Sequence, residues 1–127
     1  MAVDKSIPIL IVDDYPTMLR IIRNLLKQLG FEHVEEASDG TAALQKLKER
    51  PFGLVISDWN MEPMSGLELL RAVRAEPRFA DLPFVMVTAE SRPERIATAS
   101  EAGVSSLVVK PFDANVLSER IALAMGG

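Results

Sequence analysis

Cysteine is absent from the 127 residues, which excludes both a disulfide framework and a thiolate metal site. Positive charge is in short supply: 14 lysines and arginines face 18 carboxylates, for a formal net charge of -4 and a pI near 5.0. Nonspecific attraction to DNA or anionic lipid is therefore disfavoured, and neither a nucleic-acid nor a membrane partner is expected. Long apolar runs are missing too. The run Ile7-Pro8-Ile9-Leu10-Ile11-Val12 is too short to span a bilayer, and the residues before it lack the apolar stretch of a signal peptide. There is no low-complexity tract, long linker or internal repeat. With 48% apolar and 25% charged residues, the composition is that of one soluble globular unit able to bury a core. Residues 1–127 are read as a single, monomeric, cytoplasmic domain.

Short apolar runs alternate with stretches of helical period. Besides Ile7 to Val12, the runs are Leu54-Val55-Ile56, Phe84-Val85-Met86-Val87 and Leu107-Val108-Val109. Runs without polar alternation predict strands covered on both faces, as in a parallel sheet between helices. Val34-Glu35-Glu36-Ala37 carries adjacent charges and reads as an edge strand. Met18, Ile21, Ile22, Leu25, Leu26 and Leu29 trace the first helical stripe, with Pro16 in its first turn and Gly30 after its last. Ala42 to Leu47 forms the second helix. Ser65 and Glu68 have capping-box spacing ahead of the third, Ser91 and Glu94 ahead of the fourth, and Asp113 can cap the fifth. In the fourth helix, Ile96 is the one strong apolar anchor among alanines. Five strand-helix units are too few for a closed eight-stranded barrel. They predict an α/β fold with a five-stranded parallel sheet of order 2-1-3-4-5, doubly wound in the flavodoxin-like manner. That topology puts a ligand site at the carboxyl ends of the first and third strands.

Polar groups gather at that edge. The first strand ends in Asp13-Asp14, the third in Asp58, the fourth in Thr88 and the fifth in Lys110-Pro111. Three carboxylates so close repel one another unless a cation joins them, and an oxygen-rich set suits Mg²⁺. Lys110 and Thr88 supply a positive charge and a hydrogen bond for a phosphoryl group. Asp58 is then a carboxylate nucleophile toward phosphorus, in a reaction that is mostly positioning and electrostatics. Taken singly, each of these residues is an ordinary turn, cap or surface residue. Their conjunction on four strands is what points to function.

With those residues in place, the sequence resembles the receiver family of response regulators, and its chemotaxis members in particular. The stretches that carry the resemblance are Val55-Ile56-Ser57-Asp58-Trp59-Asn60-Met61, Gly66-Leu67-Glu68-Leu69-Leu70, Val85-Met86-Val87-Thr88-Ala89-Glu90 and Val108-Val109-Lys110-Pro111-Phe112. The resemblance implies that Asp58 is the phosphoacceptor. It implies a Mg²⁺ ion held by Asp14 and Asp58, by Asp13 through water, and by the backbone carbonyl of Asn60. Thr88 and Lys110 would contact the phosphoryl group, the Lys110-Pro111 bond would be cis, and Asn60 and Glu90 would tune hydrolysis. Switching would involve Thr88, Leu107, Arg92, Arg95 and Pro111, around an output face of the fourth helix, fifth strand and fifth helix. A histidine kinase is the implied phosphodonor and a flagellar motor switch protein the implied target, with a phosphatase as a further partner.

Three departures stand out. Leu107 replaces the aromatic that usually precedes Val-Val-Lys-Pro, Met61-Glu62-Pro63-Met64-Ser65-Gly66 shifts the proline by one place, and Tyr15-Pro16 follows the acidic pair. The chain ends at Gly127, so output is expected through protein contact. A phosphorelay shuttle or phosphate sink is the alternative, to which Leu107 lends weight. An aspartyl-phosphate phosphatase is a remote one, since Asn60 cannot act as the general acid two residues after the nucleophile. His33, the one histidine, reads as incidental, Met61 and Met64 as loop packing, and Trp59 by the resemblance as a partly exposed reporter.

Overall fold

In a computed structural model that describes residues 3–89 and 91–126, the alternating runs form five strands and five helices. They are β1 (Ile9–Val12), α1 (Pro16–Gln28), β2 (Val34–Ala37), α2 (Gly40–Glu49), β3 (Leu54–Asp58), α3 (Gly66–Ala75), β4 (Phe84–Thr88), α4 (Pro93–Glu101), β5 (Ser106–Val109) and α5 (Ala114–Ala124), with a short 3₁₀ turn at Pro77–Phe79. The sheet is parallel throughout, in the order β2-β1-β3-β4-β5. This is the expected order.

Strand alternation divides the core in two. Ile9, Ile11, Leu54, Ile56, Val85 and Val87 pack under α1 and α5, whose Leu19, Ile22, Leu26, Leu117 and Ile121 are buried. Leu10, Val12, Val55, Phe84 and Met86 pack under α2, α3 and α4. The runs are continuously apolar because both faces are covered. β2 is the exception, and its charges are matched from either side. Glu36 meets Arg23 of α1 at 2.7 Å, while Glu35 meets Arg50 just after α2.

Local signals account for most helix starts. Ser65 and Glu68 close the capping box in both directions, at 3.1 and 2.9 Å. Asp113 accepts from the Val116 amide at 3.0 Å, and Gly30 takes the left-handed conformation after α1 with φ 95°. Asp39 caps α2 through the Ala42 amide at 2.7 Å, a cap the sequence pattern did not single out.

Three expectations fail. The capping box at Ser91 is not formed: the N-cap of α4 is Arg92, and no side chain caps that end. Ile96 does not anchor α4 but is 42% exposed, and Ala99 is the buried residue instead. Ile21 likewise leaves the α1 stripe, with Leu19, Ile22 and Leu26 inside. A helix side needing close approach favours alanine over isoleucine, and the phase of α4 follows Ala99. Arg74 of α3 fixes the far end of α4 by donating to Gly103 O at 2.9 Å and Ser105 Oγ at 3.3 Å, and holds the 3₁₀ turn through Phe79 O at 3.0 Å.

This packing separates two substitutions clearly. Phe84→Ala empties a fully buried site and is expected to cost about 3–5 kcal/mol. Ile96→Ala is expected to stay within about 0.5 kcal/mol of wild type. Urea unfolding of both variants checks the assignment, and a large loss from Ile96→Ala would contradict it.

Candidate functional site

Parallel register carries the ends of four strands to one edge. Asp58 closes β3 opposite Val87, Thr88 closes β4 opposite Val109, and Asp13 follows directly on β1. The chain beyond the strands stays in register a little longer. The Trp59 amide donates to Val87 O at 2.9 Å, the Lys110 amide to Thr88 O at 2.8 Å, and the Asp13 amide to Ala37 O at 3.2 Å. These bonds hold the residues after each strand as firmly as the strands themselves.

Three carboxylates meet there. Asp13, Asp14 and Asp58 each present an oxygen, all within 4.8 Å of one another. Asp13 and Asp58 are buried, whereas Asp14 faces solvent. Lys110 reaches across, with Nζ 2.8 Å from Asp58 Oδ1. Asp13 uses Oδ1 to accept from the Tyr15 amide at 2.9 Å, leaving its buried Oδ2 without a hydrogen bond. An orphaned carboxylate oxygen among two others is a strong demand for a cation. Burial, and secondarily the Asp58 charge, push the Asp13 carboxyl from 3.8 up to about 6, against the opposing pull of the Tyr15 amide. The donor set is oxygen only, so it fits a hard divalent cation.

The walls leave little slack. A Cβ on Gly66 would sit 2.1 Å from Asp58 O and 2.9 Å from Trp59 Cα, because the Gly66 amide donates to Trp59 O at 2.8 Å. No larger residue fits that close approach of α3 to β3. Met61 is buried and Met64 crowds Gly40, so both methionines do pack the loop.

Comparison with known proteins agrees with this geometry. Residues 9–122 match the response regulator receiver domain family. The chain belongs to that family. It is 55% identical over 113 residues to the chemotaxis protein CheY of Pseudomonas aeruginosa, covering 89% of this chain and 91% of that protein. With the chemotaxis protein CheY-3 of Vibrio cholerae it shares 48% identity over 118 residues, covering 93% and 91%. Among solved structures, the chemotaxis response regulator CheY4 of Vibrio cholerae superposes with a TM-score of 0.86 at 33% identity, over 94% of this chain and 98% of that one.

In this receiver the residues singled out from sequence fall into three groups. Asp13, Asp14, Asp58 and Lys110 are in mutual reach, and Thr88 is buried at the same edge. Asn60, exposed just beyond Asp58, is held through its side chain by Arg95, whose Nη2 donates to Asn60 Oδ1 at 3.0 Å. Arg92, Pro111 and Leu107 lie further out, Arg92 and Pro111 exposed and Leu107 half-buried against the core. The Lys110-Pro111 bond is cis, as expected, and so is Glu62-Pro63. Glu90 lies outside the described residues. Trp59 differs from expectation: it is only 7% exposed, and the Arg95 guanidinium lies over its ring at 4.1 Å from the centroid. Thirty-odd residues separate the two in sequence, so no local pattern could have revealed the pair.

The raised Asp13 carboxyl has a measurable consequence. Its native pKa of about 6 exceeds the unfolded value, so the native state binds the proton more tightly. Between those values stability must fall as pH rises. Relative to Asp13→Asn, the metal-free wild type is expected to lose on the order of 3 kcal/mol between pH 4 and 7. A divalent cation that binds the cluster should recover part of it near neutrality, in proportion to the logarithm of its concentration over its dissociation constant. Paired urea titrations across that range check this, and parallel pH profiles for the two proteins would contradict it.

Proposed function

We propose that this receiver is a stand-alone response regulator of two-component signalling, phosphorylated on Asp58 by a histidine kinase in a Mg²⁺-dependent reaction. The observation that carries the reading is the Lys110 ammonium, 2.8 Å from Asp58 Oδ1, facing the acidic cluster across the acceptor. Asp58 attacks phosphorus with one carboxylate oxygen, and the leaving imidazole of the donor keeps the electron pair of the bond that breaks. Lys110 then follows the charge from carboxylate to phosphoryl oxygen, and the Thr88 hydroxyl donates to another. Asp13, Asp14, Asp58 and the backbone carbonyl of Asn60 would hold Mg²⁺, which when bound neutralises charge on the transferring oxygens. The protein's own share is positioning, since phosphoryl transfer needs little else.

Output runs through protein contact in chemotaxis, with a flagellar motor switch protein as target. The names of the two chemotaxis relatives support this, and so do Ile96 of α4 and Val109 of β5, large apolar residues left exposed near each other in the fold order. A phosphate sink or shuttle is the second reading, favoured by Leu107, which is half-buried where family members carry a mobile aromatic. A phosphatase reading finds no support in Asn60, which has no proton of useful acidity to give.

Titration with Mg²⁺ and then beryllofluoride is expected to change Trp59 fluorescence in wild type and not in Asp58→Asn. Intact mass after a small phosphodonor should show one phosphoryl group, dependent on Mg²⁺ and on Asp58. A protein that stays unmodified under these conditions would sink the phosphoacceptor reading. Phosphorylation with no gain in affinity for a motor-switch peptide would leave the sink reading in its place.

A further inference from the structure

Hydrolysis of an aspartyl phosphate asks for an acceptor beside the acceptor residue. The water oxygen bonds to phosphorus as the bond from phosphorus to the Asp58 oxygen breaks. The electron pair returns to the carboxylate, one water proton is released, and inorganic phosphate leaves. To aim a lone pair at phosphorus the water must point its protons away, and a side-chain oxygen that takes one of them orients the attack. Asn60 Oδ1, two residues beyond Asp58, is such an oxygen. It is already engaged.

Arg95 engages it. One half-buried side chain near the start of α4 donates to Asn60 Oδ1 at 3.0 Å and lies over Trp59, 4.1 Å from the ring centroid. Cavities of about 400 and 280 Å³ open on either hand, one reaching Asp14 and Ser65, the other Arg92 and Thr98, and both are lined by Trp59 and Arg95. The guanidinium therefore stands between the acidic edge and the face of α4. The plain alternative is that Arg95 merely covers a tryptophan, as many arginines do.

We propose that Arg95 is a positioning residue that brakes dephosphorylation. Docked on Trp59, it takes one lone pair of the Asn60 amide oxygen and fixes that oxygen's direction, so that orienting the attacking water must compete with the guanidinium. Displacement of α4 releases that oxygen, so whatever partner holds α4 in place lengthens the life of the phosphoryl group. This inference rests on the phosphoacceptor reading above and adds a regulator to it.

The test follows loss of the phosphoryl group by intact mass, after a small phosphodonor is removed, in Mg²⁺ buffer. Wild type, Arg95→Ala, Arg95→Lys, Asn60→Ala and the double variant Arg95→Ala/Asn60→Ala are compared. Arg95→Ala is expected to hydrolyse about fivefold faster, the factor that one ordinary hydrogen bond is worth. Arg95→Lys keeps the charge but loses the planar group that covers Trp59 and reaches Asn60 together, and its rate should fall between wild type and Arg95→Ala. Arg95→Ala should change nothing further once Asn60 is gone, which a merely structural role would not produce. Hydrolysis that is unchanged or slower in Arg95→Ala, or equally accelerated with and without Asn60, overturns the proposal. A wild type that takes no phosphoryl group fails earlier and sinks the phosphoacceptor reading with it, a result distinct from a phosphorylated protein whose lifetime ignores Arg95.

Discussion

One ammonium faces three carboxylates at the end of this sheet, and the arrangement is stable only if something else supplies positive charge. Asp13 and Asp58 are buried within 4.8 Å of each other, where two like charges repel by on the order of 3 kcal/mol at an effective dielectric of about 20. Lys110 answers for Asp58. Asp13 has only a backbone amide on one oxygen and nothing on the other. The choices left to it are a proton or a metal ion, and the first accounts for its carboxyl moving up to about 6. A cation bound at this edge would therefore displace that proton. The fold tolerates the strain of burial there because parallel register, continued past the strands by the Trp59, Lys110 and Asp13 amides, leaves the side chains no other place to go.

That edge was legible in the sequence because its cause is topological. Apolar runs without alternation imply a sheet covered twice, five units imply the doubly wound order, and the order decides which strand ends meet. Asp13, Asp14, Asp58, Thr88 and Lys110 follow without knowledge of any side-chain contact. The capping box at Ser65 and the Asp113 cap were legible for the opposite reason, being wholly local. What escaped was intermediate in range. The phase of α4 depends on what its neighbours admit, and they admit Ala99 rather than Ile96. Asp39, Arg74 and the Arg95 contact to Trp59 carry no signature of their own, since polar residues near helix ends are common everywhere.

The error over Ile96 bears directly on the site. Residues four apart share a helix face, while neighbours one apart are turned by about 100°. With Ala99 directed inward, Arg95 is directed inward with it, onto Trp59 and Asn60. Ile96 is turned out to solvent by the same rotation. Had Ile96 been the anchor, Arg95 would face water, and the loop after Asp58 would lose its contact with α4. A small residue at position 99 therefore does two things at once: it lets the helix approach the core, and it aims a guanidinium at the residues just after Asp58.

The two ends of α4 are held by different means. Arg74 ties the turn after it to α3 with bonds to one carbonyl and one hydroxyl, and Gly103 at φ 93° closes that turn with the Arg74 side chain against it. The opposite end has no side-chain cap and starts on a proline, and there Arg95 donates to Asn60 and covers Trp59. The helix itself meets the core through the small Ala99. Near its start Arg95 reaches Asn60, two residues after Asp58, while Ile96 is left exposed on its outer face. If a change of charge on Asp58 and a ligand on the outer face both acted on this short helix, linkage would require each to change the other's free energy by the same amount.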